Sequence, residues 1–564
     1  MTVHYSAAVA VVLLLSLLSH SRSSSDAPPS TPVSPSAACN ATTDPTFCRT
    51  VLPPHGTSDL YTYGRFSVAK SLASATKFVG LVDRYLARHR HLSRSAVGAL
   101  QDCRLLAGLN VDFLSATGAA LNDTTADDAL LDTRGADDVQ TLLSAILTNQ
   151  ETCIDGLQAA SGAWSDRGDG GLASPIDNGT KLYSLSLSLF TRAWVKEEPA
   201  EKRHHGHKGH RTKPPSRRRG LFDARDEVMV RRMAIEGPQG TVAVNRAVTV
   251  DQGGAGNYTT VGDAVAAAPT NLNGSGGYYL IYVLTGVYEE NVVVPKKMKY
   301  IMMIGEGIGQ TVITGNRSVV DGWTTFQSAT VAVHGQGFVA MNMTFRNTAG
   351  PAKHQAVALR SSADLSTFYS CSFEAYQDTL YTHSLRQFYR GCEIYGTVDY
   401  VFGNAAVVFQ DCDFYSRLPM QGQSNTVTAQ GRTNPEQNTG TSIQGCRLAA
   451  APELAANAAF TTVTYLGRPW KNFSRTVVME SYLGALVDGT GWMPWSGDFA
   501  LDTLYYAEYN NSGPGADTSR RVKWPGYHVL GDGADAGNFT VNNMVLGDNW
   551  LPQTGVPFTS GFDH

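Results

Sequence analysis

The chain has 564 residues, more than one ordinary domain holds, so two are expected. Its formal net charge of −4, with 42% hydrophobic and 17% charged residues, is ordinary for a soluble protein and excludes a globally basic nucleic-acid binder. The 8 cysteines are even in number and split equally between the halves, which in a secreted chain favours disulfides over metal ligands.

Met1 to about Ser25 reads as a secretory signal. Its apolar run, Ala7 to Leu18, is short of the ~20 residues that span a bilayer, although the n-region carries only His4 and no Lys or Arg. Sequons at Asn40, Asn122, Asn178, Asn257, Asn273, Asn316, Asn342, Asn472, Asn510 and Asn538 fit a secreted glycoprotein. Residues 26–38, rich in Pro, Ser and Ala, form a lead-in. From Cys39 to Val195 the pattern is helical. Val139, Leu142, Leu143, Ile146, Leu147, Ile154 and Leu157 recur at spacings of three and four and predict one helix over Ala136–Leu157. Similar stripes run over Ser67–Leu86, Ala96–Leu121 and Lys181–Trp194, so residues 39–195 predict a four-helix bundle. Cys39 and Cys48 are near enough to staple a short hairpin, and Cys103 and Cys153 sit on separate helices that they would tie together. Residues 196–237 are dense in Lys, Arg and His, cannot bury a core and predict an exposed basic linker. Arg217-Arg218-Arg219 and Arg231-Arg232 in it invite processing proteases.

From about Val248 to the end the pattern is β, and the part from Pro238 onward is mildly acidic. Val248–Asp251, Tyr279–Leu284, Tyr300–Ile304, Thr311–Thr314, Ala329–Val333, Phe338–Phe345 and Val357–Arg360 are short apolar runs separated by Gly, Asn and Pro. Ala264–Ala268 is a short helical piece suited to capping the N-terminal end, and the stretch from Asn510 onward is expected to cover the C-terminal one. Gln355, Gln377 and Asp399 are 22 apart, and Cys371, Cys392 and Cys412 are 21 and 20 apart inside similar words. A repeat of that length in β-prone sequence marks a solenoid, here an all-β right-handed parallel β-helix. Stacked coils would crowd Gln355, Gln377, Asp378 and Asp399 into one patch. The three cysteines form an internal stack or pair, Cys371–Cys392 and Cys412–Cys446 being the pairs to test. His334, His354 and His383 lack metal-ligand spacing, so no metal or cofactor is expected.

Ala-Leu-Gln-Asp-Cys-Arg-Leu-Leu at 99–106 and Leu-Thr-Asn-Gln-Glu-Thr-Cys-Ile-Asp-Gly at 147–156 resemble the plant invertase and pectin methylesterase inhibitor family, a four-helix bundle with two disulfides. Gly-Val-Tyr-Glu-Glu at 286–290, Gln-Ala-Val-Ala-Leu at 355–359, Gln-Asp-Thr-Leu at 377–380, Gly-Thr-Val-Asp-Tyr-Val-Phe-Gly at 396–403 and Leu-Gly-Arg-Pro-Trp at 466–470 resemble, in order and spacing, the plant pectin methylesterases. The whole chain is similar to the pro-enzyme form of that family. The resemblance implies hydrolysis of methyl esters of homogalacturonan, with Asp399 as nucleophile and Asp378 as acid and then base. Gln377 and Gln355 would donate to the oxyanion, Arg468 would orient Asp399, and Trp470, Phe402 and Tyr381 would contact sugar. It also implies a secreted monomer of the cell wall, silenced by its own bundle, with methylesterified pectin, an inhibitor protein and a subtilisin-like processing protease as partners. No G-x-S-x-G elbow is present, so two carboxylates must share the work. Arg-Arg-Arg-Gly-Leu-Phe and Arg-Arg-Met-Ala depart from the family's basic pair followed by two leucines, which leaves the cleavage point open. The rivals are a polygalacturonase or pectate lyase, for which the acidic or Ca²⁺-binding cluster is missing, and an inactive wall-binding protein.

Overall fold

The computed structural model describes residues 28–87, 92–122, 131–160, 171–195, 235–237, 240–457 and 462–562. The signal and most of the basic linker lie outside the described residues. Two short helices, α1 (Pro35–Cys39) and α2 (Pro45–Val51), precede four long ones: α3 (Leu60–Ala87), α4 (Arg94–Asn122), α5 (Thr133–Ala159) and α6 (Ala173–Trp194). The apolar stripes seed these helices, and each runs beyond its stripe because capping and polar helix formers extend it; Asp132, for example, caps α5 by accepting from the Gly135 N–H. Cys39–Cys48 ties α1 to α2 and Cys103–Cys153 ties α4 to α5.

In the β half, beyond an antiparallel pair of Ile235–Gly237 with Gly240–Val242, the described strands wind into three parallel sheets of 11, 8 and 7 strands. Each strand pairs with the equivalent strand of the next coil, which makes a parallel β-helix. The seven-stranded sheet consists of β1 (Val292–Val294), β2 (Val331–Val333), β3 (Leu359–Ser361), β4 (Leu380–Thr382), β5 (Val401–Gly403), β6 (Asn425–Gln430) and β7 (Thr464–Gly467), in that order across the sheet. The interior is filled by columns of like residues one coil apart. Phe368, Tyr389 and Phe409 stack at 4.7 Å between successive ring centroids, the spacing of the strands that carry them. The helical piece expected at Ala264–Ala268 begins earlier, as a helix over Val261–Ala266 capped by Thr260 and packed into the first coils.

Three expectations change. The predicted run Phe338–Phe345 is two strands, broken where Asn342 adopts φ 54° and turns the chain. The C-terminal stretch does only part of what was expected: Tyr527–Val529 pairs on the last coil and Val522 and Trp524 pack on the core there, but from Phe539 onward it lies along the outer face of the eleven-stranded sheet, where Phe539, Val541, Met544 and Trp550 bury Phe388, Val408 and Met479. An apolar outward face needs a cover more than the end does. Neither Cys371–Cys392 nor Cys412–Cys446 forms: all four thiols are free and buried. They stand in register on successive coils, and each finds hydrogen-bond partners in the backbone, as Cys392 Sγ does with the Phe368 carbonyl and Cys412 Sγ with the Cys392 N–H. Burial pushes the Cys392, Cys412 and Cys446 thiols up, away from thiolate chemistry. Among the described residues no helix is long and apolar enough to cross a membrane.

Candidate active site

The seven-stranded sheet builds the site at the N-terminal ends of β4 and β5. Leu380 pairs with Val401 and Tyr381 with Phe402, so the same register sets Asp378 beside Asp399. At ordinary strand spacing the two backbones are ~4.8 Å apart. The ladder runs at 21 residues here, which puts Asp378, not Gln377, level with Asp399. Both aspartates take left-handed backbone, φ 63° and 51°, a region that Asp tolerates better than most residues. Two consecutive coils thus bend identically before entering the sheet, and each bend presents a carboxyl on the same wall.

The two carboxyls live in different surroundings. Arg468 grips Asp399 with both arms, Nε to Oδ1 and Nη2 to Oδ2, each at 2.7 Å. Thr426 Oγ1 donates to Asp399 Oδ1 at 2.7 Å and accepts from the Asp399 N–H at 2.7 Å. Burial, and then the neighbouring Asp399 charge, hold the Asp378 carboxyl well above the usual carboxylate range, against a smaller pull from Arg468. One acid is clamped by a cation and its neighbour keeps its proton, a division of roles that suits nucleophile and proton donor.

Gln377 and Gln355 are half-buried and come together through the backbone, where the Ala356 N–H donates to the Gln377 carbonyl at 3.2 Å. Phe402 stacks on Tyr381 at 4.1 Å, and Trp470 meets Phe402 edge-on at 6.0 Å, forming an aromatic wall beside the acids. Two contributors carry no repeat signature: Thr426, 27 residues after Asp399, and Trp495, whose ring lies 4.4 Å from the Arg468 guanidinium. Among the described residues no group of His, Cys, Asp or Glu is arranged to hold a metal ion.

The bundle covers this wall. Tyr381 and Phe402, 3% and 5% exposed, share one apolar cluster with Phe78 of α3, Leu100 and Cys103 of α4, and Cys153 and Leu157 of α5. Polar contacts surround it: Thr152 with His383 at 3.0 Å, Asn404 with Thr148 at 2.9 Å, and Gln437 with the Ser144 carbonyl at 2.8 Å. Every ion pair across the seam among the described residues takes its acid from the bundle: Glu151 and Asp155 on Lys471, Asp137 and Asp138 on Arg386, and Asp112 on Lys296.

Comparison with known proteins gives two family matches: Pectinesterase over residues 247–548, and Plant invertase/pectin methylesterase inhibitor over residues 34–189. Among similar chains, the probable pectinesterase/pectinesterase inhibitor 41 of Arabidopsis thaliana is 55% identical over 550 residues, 94% of each chain. The probable pectinesterase/pectinesterase inhibitor 7 of the same plant is 53% identical over 556 residues, 93% of this chain and 95% of the other. Among solved structures, the pectin methylesterase from carrot is 54% identical with a TM-score of 0.55, covering 56% of this chain and 98% of that one.

Proposed function

Since the chain belongs to the pectinesterase family, carboxylic ester hydrolases of plant cell-wall pectin, and carries an inhibitor domain ahead of the esterase domain, we propose a two-aspartate mechanism acting on homogalacturonan and silenced in cis. Asp399 attacks the carbonyl carbon of the methyl ester. The carbonyl oxygen takes up the negative charge, and the side-chain amides of Gln377 and Gln355 donate to it. Collapse of the intermediate breaks the bond to methoxide, which leaves as methanol with the proton of Asp378. Water then attacks the acyl-enzyme and gives a proton to the Asp378 carboxylate. Asp399 and a free galacturonate are released. Arg468 keeps Asp399 facing the substrate, and Trp470, Phe402 and Tyr381 carry the sugar rings.

The observation that carries this reading is the pairing of Asp378 with an Asp399 held in a two-armed ion pair. The catalytic domain is taken as residues 238–564, the bundle as 39–195, and the basic stretch 196–237 as the linker that a subtilisin-like protease cuts after a signal over 1–25 directs secretion to the wall. The burial of Tyr381 and Phe402 under α4 and α5 supports autoinhibition, because a polymer and the bundle need the same wall. Methanol release from methylated pectin is the test, with polymer viscosity followed alongside. Asp399→Asn should abolish release with the fold intact, and linker-cut protein should exceed the full chain. Near-normal release by Asp399→Asn would reject the nucleophile.

A further inference from the structure

The loop over residues 468–474 carries Arg468, Trp470 and Lys471, and both of its ends rest on one pair of buried rings. At its start, residues 491–493 add a further rung to the seven-stranded sheet beyond β7. Gly467 bridges to Trp492 in parallel, the Leu466 N–H donates to the Gly491 carbonyl at 2.8 Å, and the Met493 N–H donates to the Gly467 carbonyl at 3.0 Å. The Trp492 ring stacks on Tyr506 at 4.3 Å. At the far end of the loop, Ser474 Oγ meets the Tyr506 hydroxyl at 2.8 Å. Burial raises that hydroxyl above its ordinary range, and the charges of Asp399 and Arg468 both reach it. Three residues past Trp492, the Trp495 ring lies 4.4 Å from the Arg468 guanidinium.

A buried ion pair holds the rings in turn. Tyr506 and Glu508 stand two apart on the strand Tyr505–Tyr509 and so share its inner face. Arg521 and Glu508 expose only 1% and 2% of their side chains. Arg521 Nε donates to Glu508 Oε1 at 2.8 Å and Nη2 to Oε2 at 3.0 Å. The rest of the guanidinium donates to the Gly489, Gly515 and Asp517 carbonyls at 3.2, 2.7 and 3.1 Å. The Trp492 indole N–H donates to Glu508 Oε1 at 3.2 Å, and the Tyr527 hydroxyl to the same oxygen at 3.0 Å. A buried pair seldom stabilises a fold more than apolar residues of the same volume do. What this one supplies is direction: a carboxylate fixed by a two-armed cation aims one oxygen at the indole.

We propose that Trp492, fixed on Glu508 and Arg521, is a positioning residue of the esterase: it sets both ends of the 468–474 loop and so the reach of the Arg468 fork to Asp399. The role rests on the mechanism proposed above. Trp492, Tyr506, Glu508 and Arg521 are all enclosed in the β-helix, so they act on the ester through the loop and not by touching it.

Truncating Glu508 or Arg521 would leave the other as a buried unpaired charge, which is strongly destabilising. The test therefore uses Trp492→Phe, which keeps a ring against Tyr506 and removes the N–H to Glu508. Tyr527→Phe is its control, because it removes the other neutral donor to the same oxygen. Methanol release is measured on linker-cut protein, diluted until the rate per molecule is constant, with the melting temperature followed alongside. Trp492→Phe should lower kcat roughly tenfold with KM within about twofold, and Tyr527→Phe should leave both within about twofold. In an Arg468→Lys background, where the fork is already gone, Trp492→Phe should cost less than about twofold more. An unchanged kcat in Trp492→Phe, an equal fall in Tyr527→Phe, or the full loss repeated in the Arg468→Lys background overturns the role and leaves the esterase reading standing. A parent protein that releases no methanol overturns the esterase reading, and this role with it.

Discussion

Asp399 is held from two sides, by the Arg468 fork and by the Thr426 hydroxyl. Thr426→Val keeps the shape and removes one hydrogen bond to the carboxylate proposed as nucleophile. A bond of that kind is worth about 1.5–3 kcal/mol when one partner is charged, so turnover should fall roughly ten- to hundredfold with KM little changed. Gln377→Ala should lower turnover by roughly 10²–10³, the loss typical of an oxyanion donor. Burial and the Asp399 charge hold Asp378 above the usual carboxylate range, and the acid role proposed for it needs the proton. Activity should therefore decline as pH rises through that raised value, and a pH–rate profile of Asp378→Asn should have lost this alkaline limb from its residual rate. At this scale the motif words mark Asp378, Asp399 and Arg468, because each stands inside a distinctive run of neighbours. They do not mark Thr426: its part is one hydroxyl, and a threonine in a β-strand is too common to stand out.

Helices α4 and α5 act through buried acids. Asp102 of α4 accepts from Thr324 Oγ1 at 2.5 Å and Gln327 Nε2 at 2.7 Å, both in the β half. Burial raises its carboxyl from 3.8 to about 6, despite those bonds and the nearby Arg360 charge. Burial likewise raises Asp137 and Asp155 of α5. The docked bundle holds protons that an undocked one would give up. For Asp102 the sign is fixed: docking is favoured fully below 3.8, weakens as pH rises to about 6, and changes no further above it. The docking equilibrium should shift by up to roughly a hundredfold over that window. Methanol release by linker-cut protein, measured relative to Asp102→Asn across the window, checks this; parallel profiles would clear Asp102 of the role. At the level of elements, helix periodicity and the coil stride were legible because both follow from burial on one face. The face that α4 and α5 turn to the β-helix was not, since the residues that bury it are scattered over both halves of the chain. One glycine marks how tightly the coils stack. Gly403 has φ 130°, and a Cβ there would stand 2.1 Å from the Thr382 carbonyl oxygen. Gly403→Ala should lower the melting temperature, because both backbone strain and overpacking are destabilising by about 1–3 kcal/mol.

Over the whole molecule, the silencing in cis proposed above would depend on the tether between bundle and β-helix. A linked inhibitor acts at an effective concentration in the millimolar range, so modest contacts suffice while the chain is intact. Cutting the linker removes that advantage without touching a contact. The apolar cluster over Tyr381 and Phe402, together with the ion pairs on Lys471 and Arg386, then sets how long the halves stay together. Lys471→Gln leaves the half-buried Glu151 and Asp155 without their cation, and linker-cut protein carrying it should release methanol faster than the linker-cut parent at the same concentration. The two-part architecture was readable from the shift in periodicity and the basic stretch between the parts. The docking of one part on the other was not, because nothing local encodes it.

The column of four reduced cysteines carries a practical consequence. Each sulfur is walled in by the coils above and below, so an alkylating reagent finds none of them in a native molecule and all of them in an uncoiled one. Mass spectrometry after a brief pulse of iodoacetamide would then count opened β-helices directly, while the two cystines of the bundle stay silent.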